Sequence, residues 1–365
     1  MEFIFNEKRS AEEIIKDIDI CKTTTSFTLG KSFIYSGDNY KGMIELLKQY
    51  KGFIDLVYID PPFNTNQIFS IGETRTSTIS RKKDDKVAYS DLMDEDSFLK
   101  MMYERFVLIR ELLSDNGSIY VHIDTKMGAY FKIMLDEIFG KECFKNDITR
   151  IKSNPKNFDR KAYGNQKDMI LFYSKNPNKN IWNEVKLALD SKDIESKFPK
   201  VESDGRRYTT IPLHAPGETK GATGQPWRGM MPPEGRHWRT SPEEFEKMDA
   251  AGLIEWSSNG NPRIKKYADE HKGKKIQDIW SFKDPQYPLY PTQKNQEMIE
   301  LIIRQSSSEG GYVMDCFAGS GSTLLAAIKT GRKFIGMDKS DISIKIIRER
   351  LEGKEYVFEE ENESE

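Results

Sequence analysis

The chain has 365 residues, 37% hydrophobic, 31% charged and 11% aromatic, with a formal net charge of −2, a balance that suits a soluble globular protein with a sizeable core and excludes a disordered one. No apolar run reaches the roughly 18–20 residues that span a bilayer, and the charged start MEFIFNEKRSAEEIIKDI is unlike a signal peptide. The three cysteines (Cys21, Cys143, Cys316) and four histidines (His122, His214, His237, His271) are scattered, which excludes a disulfide framework and metal-ligand spacing; no metal and a cytoplasmic location are expected.

Residues 1–30 read as an N-terminal extension. From 31 to 175, strand-like and helical runs alternate. A strand at Lys31–Ser36 ends in Gly37-Asp38-Asn39, a helix fits Tyr40–Tyr50, and FIDLVYI (Phe53–Ile59) is a near-continuous apolar strand. A long polar connection, Asn64–Ser90, follows; such segments are commonly functional or mobile. Helices are predicted at Asp96–Leu113 and Lys126–Phe139, with strands at Ser118–Ile123 and Met169–Tyr173. Alternation of this kind indicates a parallel sheet covered on both faces. Residues 176–280 break the rhythm with Gly, Pro, Arg and Trp, around one small helix at Ser241–Met248. The α/β pattern returns from 281 to 358: helix Gln293–Gln305, strand Tyr312–Phe317, a glycine turn, helix Thr323–Thr330, strand Phe334–Met337, helix Ile342–Leu351. Residues 359–365 read as a frayed acidic tail. The first and last blocks look like halves of one Rossmann-like doubly wound sheet with the middle inserted.

Two motifs carry chemistry. Asp315-Cys316-Phe317-Ala318-Gly319-Ser320-Gly321-Ser322-Thr323 lies between a strand and a helix, where a doubly wound sheet binds a nucleotide-like cofactor. Its glycines permit close backbone approach and the helix start offers amides. No Gly-Lys-Ser/Thr follows, so a phosphate P-loop is excluded. Asp338 ends the next strand and can accept both ribose hydroxyls. The second motif, Asp60-Pro61-Pro62-Phe63, follows the buried strand FIDLVYI. Prolines hold that turn rigid without amide donors. Asp60 and the carbonyls supply acceptors and Phe63 supplies a ring, the set that an exocyclic base amine needs.

Asp-Pro-Pro-Phe followed later by Phe-Ala-Gly-Ser-Gly-Ser-Thr resembles the S-adenosyl-L-methionine-dependent amino-methyltransferases of DNA in the circularly permuted order called the β class. The resemblance covers about two thirds of the chain. It implies a catalytic half, then a target-recognition domain, then a cofactor half. Tyr290-Pro291-Thr292-Gln293-Lys294 is similar to the family's His-Pro-Thr-Gln-Lys segment, so Thr292 and Lys294 are expected at the methionine end of the cofactor. Tyr290 replaces the usual His, and Asn295 the usual Pro. By the same resemblance Asp38 is expected at the adenine ring, with Asp60 also near the cofactor. The implied reaction is methylation of the N6 amine of an adenine flipped out of double-stranded DNA, without a cysteine adduct. A restriction endonuclease subunit and a homodimer are the partners that the resemblance leaves open.

Residues 145–283 hold 27 Lys+Arg against 19 Asp+Glu, a net of +8, leaving −10 elsewhere. A basic middle in an acidic frame suits a phosphate-facing surface. Arg206, Arg207, Arg228, Arg236, Arg239, Arg263, Lys265 and Lys266 are its candidate DNA contacts, with Trp227 and Trp238 placed to wedge or stack. Arg81, Lys82 and Lys83 in the long connection are expected to order over DNA. The alternatives are N4-cytosine methylation by the same architecture, an NAD-dependent Rossmann oxidoreductase, and an inactive DNA-binding protein. An Asp at the first motif position favours adenine, and the oxidoreductase leaves Asp60–Phe63 unexplained.

Overall fold

The computed structural model describes residues 3–21, 25–62, 94–153, 161–284 and 294–361, together with the backbone of three short strands between 68 and 90. The chain divides into two compact units, Met1–Val185 with Gln277–Glu365, and Lys186–Ile276.

The first unit is built on one sheet of β1 (Phe33–Ser36), β2 (Ile54–Ile59), β3 (Leu113–Ile123), β4 (Phe144–Ile151), β5 (Lys167–Ser174), β6 (Ile279–Trp280), β7 (Tyr312–Asp315), β8 (Lys333–Asp338) and β9 (Val357–Glu360). Its spatial order is β6-β4-β5-β3-β2-β7-β8-β1-β9. Ile54, Leu56, Val57 and Ile59 of β2 are all fully buried, which is why its sequence is apolar without alternation: both faces of a central parallel strand are covered. The sheet is mixed, which corrects the wholly parallel expectation. β5 runs antiparallel to β3 and β4, whereas the other pairs are parallel. Its connection from β4 spans only residues 152–166, without a described crossover helix to carry the chain back.

Helices α1 (Ala11–Ile20), α2 (Asn39–Gln49), α3 (Glu95–Leu112), α4 (Gly128–Phe139), α5 (Gln296–Ser306), α6 (Ser322–Lys329) and α7 (Asp341–Arg350) belong to the same unit. Their starts are set locally: Ser10 and Glu13 form a capping box on α1, and Asp38, Asp94 and Asn295 cap α2, α3 and α5. α1 is part of the fold rather than an appendage, because Ile14 is fully buried and Arg9 joins Asp17 to Glu104 of α3. Glu359 and Glu360 do not fray as expected; β9 pairs with β1, and Glu361 meets Lys41 at 2.6 Å. In the connection after β2, Ile68–Gly72 pairs with Arg75–Ser77 and Lys86–Ser90, so it holds a small antiparallel sheet instead of an unstructured run. Among the described residues no helix is long and apolar enough to cross a membrane.

α6 crosses β8 at Gly336, where an added Cβ would lie 2.5 Å from Cδ1 of the fully buried Leu324. Gly336→Ala is expected to cost about 1–3 kcal/mol through overpacking, read as a lowered Tm.

The second unit has a four-stranded antiparallel sheet, Lys200–Val201, Arg207–Pro212, Pro262–Tyr267 and Ile254–Trp256 in that order, and a two-stranded ribbon of His214–Pro216 with Arg236–Trp238. Leu213, Trp227, Trp238, Phe245, Ile254 and Ile264 form its core. That placement makes Trp227 and Trp238 core residues of the unit and sets aside the reading in which they wedge or stack on DNA. Their indoles are buried and their N–H groups donate to Glu246 and to the Gln225 carbonyl, each at 2.8 Å.

Candidate active site

β2 and β7 are parallel neighbours, yet β2 continues to β3 on one side and β7 to β8 on the other. The chain therefore parts at the carboxyl ends of these two strands, the place where doubly wound sheets hold ligands. Four acids gather along this edge at the ends of neighbouring strands: Asp60 after β2, Asp315 on β7, Asp338 on β8, and Asp38 shortly after β1.

Asp60 directs Oδ2 to the Lys294 ammonium at 2.8 Å, with both side chains largely buried. Its other oxygen, Oδ1, is buried with no hydrogen-bond partner among the described residues. An unsatisfied buried acceptor costs about 1–3 kcal/mol, more when charged, so this oxygen is poised for an incoming donor. Pro61 beside it is buried and Pro62 half-buried, and neither carries an amide that could satisfy the carboxylate internally.

Asp315 braces the glycine turn: one oxygen accepts from the Phe317 amide at 3.0 Å, the other from the Thr323 hydroxyl at 2.5 Å. The Ala318 amide bonds to the Met337 carbonyl and the Gly321 amide to the Ala318 carbonyl. The Gly319 amide donates to Asp338 at 2.8 Å. Gly319 and Gly321 take left-handed φ values of 51° and 73°, which a side chain would resist. Ser320 and Ser322 share a hydroxyl bond at 3.0 Å, and Arg350 donates to the Ser320 carbonyl at 2.5 Å. Burial pushes Asp315 up to about 7, partly offset by its two donors and reinforced by Asp60 and Asp338. Burial also raises Asp338.

Asp38 caps α2 through the Tyr40 amide and faces Arg105 at 3.3 Å. Arg105 Nε donates to Asn39 Oδ1 at 2.6 Å, and Asn39 Nδ2 to the Cys316 carbonyl at 2.5 Å, so one side chain ties the β1 end to the β7 end. Arg105, Asn39, Arg350 and Glu361 were not singled out from sequence. For Arg105 a signal existed, because it shares the apolar stripe of α3 with Met101 and Ile109 four residues to either side. Glu361, whose Oε2 accepts from the Asp38 amide at 2.7 Å, had none.

Behind Asp60 lies a buried polar network. The Tyr58 hydroxyl meets His122 Nδ1 at 2.9 Å, and His122 Nε2 meets Asp168 at 3.3 Å. Burial pushes His122 down, so it is a neutral imidazole whose Nε2–H donates to Asp168 and whose Nδ1 accepts from Tyr58. Asp168 also faces Lys152 at 2.6 Å and Arg150 at 3.5 Å. Burial works against its charge, but the bonds from His122 and Lys152 hold it well below the usual carboxylate range.

The structure thus brings Asp38, Asp60, Pro61, Pro62, Lys294, the turn Asp315–Thr323 and Asp338 to one sheet edge. Phe63, Thr292, Arg81, Lys82 and Lys83 lie outside the described residues. The other basic candidates are in the second unit, which holds 17 Lys+Arg against 14 Asp+Glu; much of the surplus seen across 145–283 lies outside it. Arg206 is paired with Asp269 and Glu270, Arg228 with Glu246 and Asp249, and Lys265 with Glu202. Arg207 donates to the Phe198 carbonyl, and Lys266 is exposed. Arg236 meets His214 Nδ1 at 3.3 Å, whereas Arg239 donates to the Pro212 carbonyl and Arg263 to Thr210; burial and then these three charges push His214 down.

The sequence profile described as DNA methylase matches residues 54–349. A type II methyltransferase of Enterobacter cloacae, M.EcaI, is 39% identical over 356 residues, 96% of this chain and 75% of the relative. The Mod subunit of the type III restriction-modification enzyme StyLTI of Salmonella typhimurium is 25% identical over 354 residues, 88% of this chain, which spans 53% of that subunit's length. The DNA adenine methyltransferase YhdJ of Escherichia coli K12 is 23% identical over 344 residues, 93% of this chain and 89% of the relative.

Proposed function

This chain belongs to the N6/N4 DNA methylase family and is an S-adenosylmethionine-dependent DNA methyltransferase, and from that premise we propose that it methylates the N6 amine of an adenine flipped out of double-stranded DNA. The observation that carries this reading is Asp60, fixed on one side by Lys294 and offering, at the switch point of the sheet, a buried oxygen that has no partner among the described residues. The existence of a relative named as an adenine methyltransferase that covers nearly the whole chain supports adenine over cytosine.

The cofactor supplies an electrophilic methyl group on a sulfonium. The acid-lined edge fits a ligand of that charge, with Asp315, Asp338 and the glycine turn as its holders and Lys294 and Thr292 at its methionine end. Asp60 Oδ1 and the Pro61 carbonyl accept the hydrogens of the target amine, which leaves the nitrogen lone pair directed at the methyl group. Phe63 stacks on the base. Extruding that base costs a few kcal/mol, repaid by these contacts. Asp60 acts as an acceptor rather than a strong base, since the methylated amine sheds its proton readily. Expression in a host without DNA methylation, followed by mapping of modified bases, tests the reading: adenine marks within one short motif support it, and N4-cytosine marks overturn the choice of base.

The raised Asp315 gives a pH signature. Its ordinary value is 3.8 and its folded value about 7, so between these pH values the folded protein holds a proton that the unfolded chain has lost. Its contribution to stability therefore falls as pH rises through the window. A cationic cofactor favours the ionised form, so affinity is expected to climb from pH 5 to about 7, with proton release, and then level off. Calorimetry in two buffers of different ionisation enthalpy measures that proton; Asp315→Asn is expected to abolish the trend.

The unit Lys186–Ile276 is the proposed target-recognition domain. Its phosphate contacts centre on Arg236, Arg239 and Arg263, because Arg206, Arg228 and Lys265 already face carboxylates. Each of Arg236→Ala, Arg239→Ala and Arg263→Ala is expected to lower the salt slope of DNA binding by about 0.9, whereas Arg206→Ala and Arg228→Ala change it little. Fluorescence titrations across salt concentration distinguish these. The remaining proposals are a cytoplasmic location, a homodimer and a companion restriction endonuclease. The last is supported by the likeness to a restriction-modification subunit.

A further inference from the structure

Lys294 stands at the start of α5, and that start is tied to residues held by β4. Arg150 on β4 is fully buried, and its Nε donates to the Phe282 carbonyl at 2.9 Å while Nη2 pairs with Asp284. The other side of the guanidinium faces Asp168, itself bonded to Lys152 and His122. Phe282 and Asp284 are thus fastened to a buried charge network on β4 and β5.

Between the two anchored residues, Lys283 presents its carbonyl, and Asn295 Nδ2 donates to it at 2.9 Å. The same side chain turns Oδ1 to the Met298 amide at 3.0 Å and caps α5. Asn295 therefore uses both ends of its amide. One end fixes the direction of the helix; the other ties the helix start to the arginine-anchored segment. Its immediate neighbour is Lys294, whose ammonium is 2.8 Å from Asp60 Oδ2. Ser, Thr and Asp cap helices as well as Asn does, but their side chains lack an amide that could donate outward while accepting inward.

We propose that Asn295 is a positioning residue for the active site: by clipping the start of α5 to Lys283 it sets Lys294 against Asp60, in the orientation that leaves Asp60 Oδ1 for the target amine. This rests on the reading of Asp60 and Lys294 given above. A single neutral hydrogen bond contributes only about 1 kcal/mol to stability, but a misplacement of about an ångström at reacting groups costs up to about 100-fold in rate. The clip should matter far more for turnover than for folding.

The test uses the full chain with Asn295→Asp and Asn295→Ser, both of which keep a helix cap and lack the Nδ2 amide that reaches Lys283; Asp has no donor at all and the Ser hydroxyl sits one bond closer to the backbone. Expected are an unchanged DNA affinity, a Tm within a few degrees of the parent, a kcat lowered by about ten-fold or more, and weaker binding of S-adenosylmethionine in direct titrations. In a double-mutant cycle on cofactor affinity, Asn295→Asp should add little once Lys294→Met is present, because both act through the same ammonium. Parental kcat and cofactor affinity in both Asn295 variants overturn the proposal, and so does a full effect of Asn295→Asp in the Lys294→Met background. A large fall in Tm with unchanged kcat overturns it too, because that is a cap and nothing more. Retained turnover in Asp60→Ala would instead remove the underlying reading, whatever Asn295 does.

Discussion

Asp60→Ala is expected to lower kcat by at least about 100-fold, the scale on which one preorganised group at a reacting centre counts, while cofactor affinity changes by less than about ten-fold. The carboxylate is the buried acceptor that meets the amine as positive charge develops on it, so its effect belongs to the transition state more than to binding. Its removal also strips the buried Lys294 of the carboxylate it faces, which lowers stability independently of catalysis. Asp60→Asn separates the two effects. It keeps the shape and one oxygen near Lys294 but loses the charge, so its kcat should fall nearly as far while its Tm falls less. Single-turnover methylation, cofactor titration and thermal melts of the two variants together read out the partition. Parental turnover in Asp60→Ala would sink the assignment.

Asp168→Ala is expected to be the most destabilising single change outside the apolar core, at about 3–5 kcal/mol. Asp168 is almost wholly buried and answers three partners, His122, Arg150 and Lys152. Arg150 is fully buried, so truncation removes one of the carboxylates that compensate its charge. Because the folded value of Asp168 lies below its ordinary 3.8, its contribution is present at neutral pH and is lost as pH falls below that value. Denaturant melts at pH 7 and pH 3 should show a large difference between parent and variant at the first and a smaller one at the second. A cost near zero at pH 7 would mean that the network is stabilised by other means.

The parts of this fold that could be read from sequence are those written locally. β2, β7 and β8 are short apolar runs ending in Asp60, Asp315 and Asp338, and the helix starts carry Ser10, Asp38, Asp94 and Asn295 in capping positions. The acids reach one edge because parallel neighbours end together, which alternation of strands and helices already implies. What was not legible depends on partners distant in the chain. The reversed direction of β5 is set by pairing on both sides, and β9 gains its place only by lying beside β1. Trp227 and Trp238, set among arginines, read equally as stacking aromatics or as parts of a small core until the helix Pro242–Ala250 closes that core over them. Arg206 and Arg228 read as phosphate ligands until Asp269, Glu270, Glu246 and Asp249 are found at their side chains. Charge counts along a sequence see residues, but only the fold decides which charges are already answered.

The placement of β1 between β8 and β9 bears on how the protein is made. The Phe334 amide bonds to the Ser32 hydroxyl across 302 residues of chain, and β1 finds its second neighbour only at Val357–Glu360. A ribosome therefore delivers Asp38 and Asp60 long before it delivers the turn at Gly319–Gly321. The nascent protein can fold its second unit, whose strands lie within Lys186–Ile276, while the sheet around the cofactor edge waits for nearly everything else. Contacts so distant in sequence form slowly. Synthesis stalled before residue 338 leaves a chain whose glycine turn lacks the Asp338 carboxylate that its Gly319 amide bonds to.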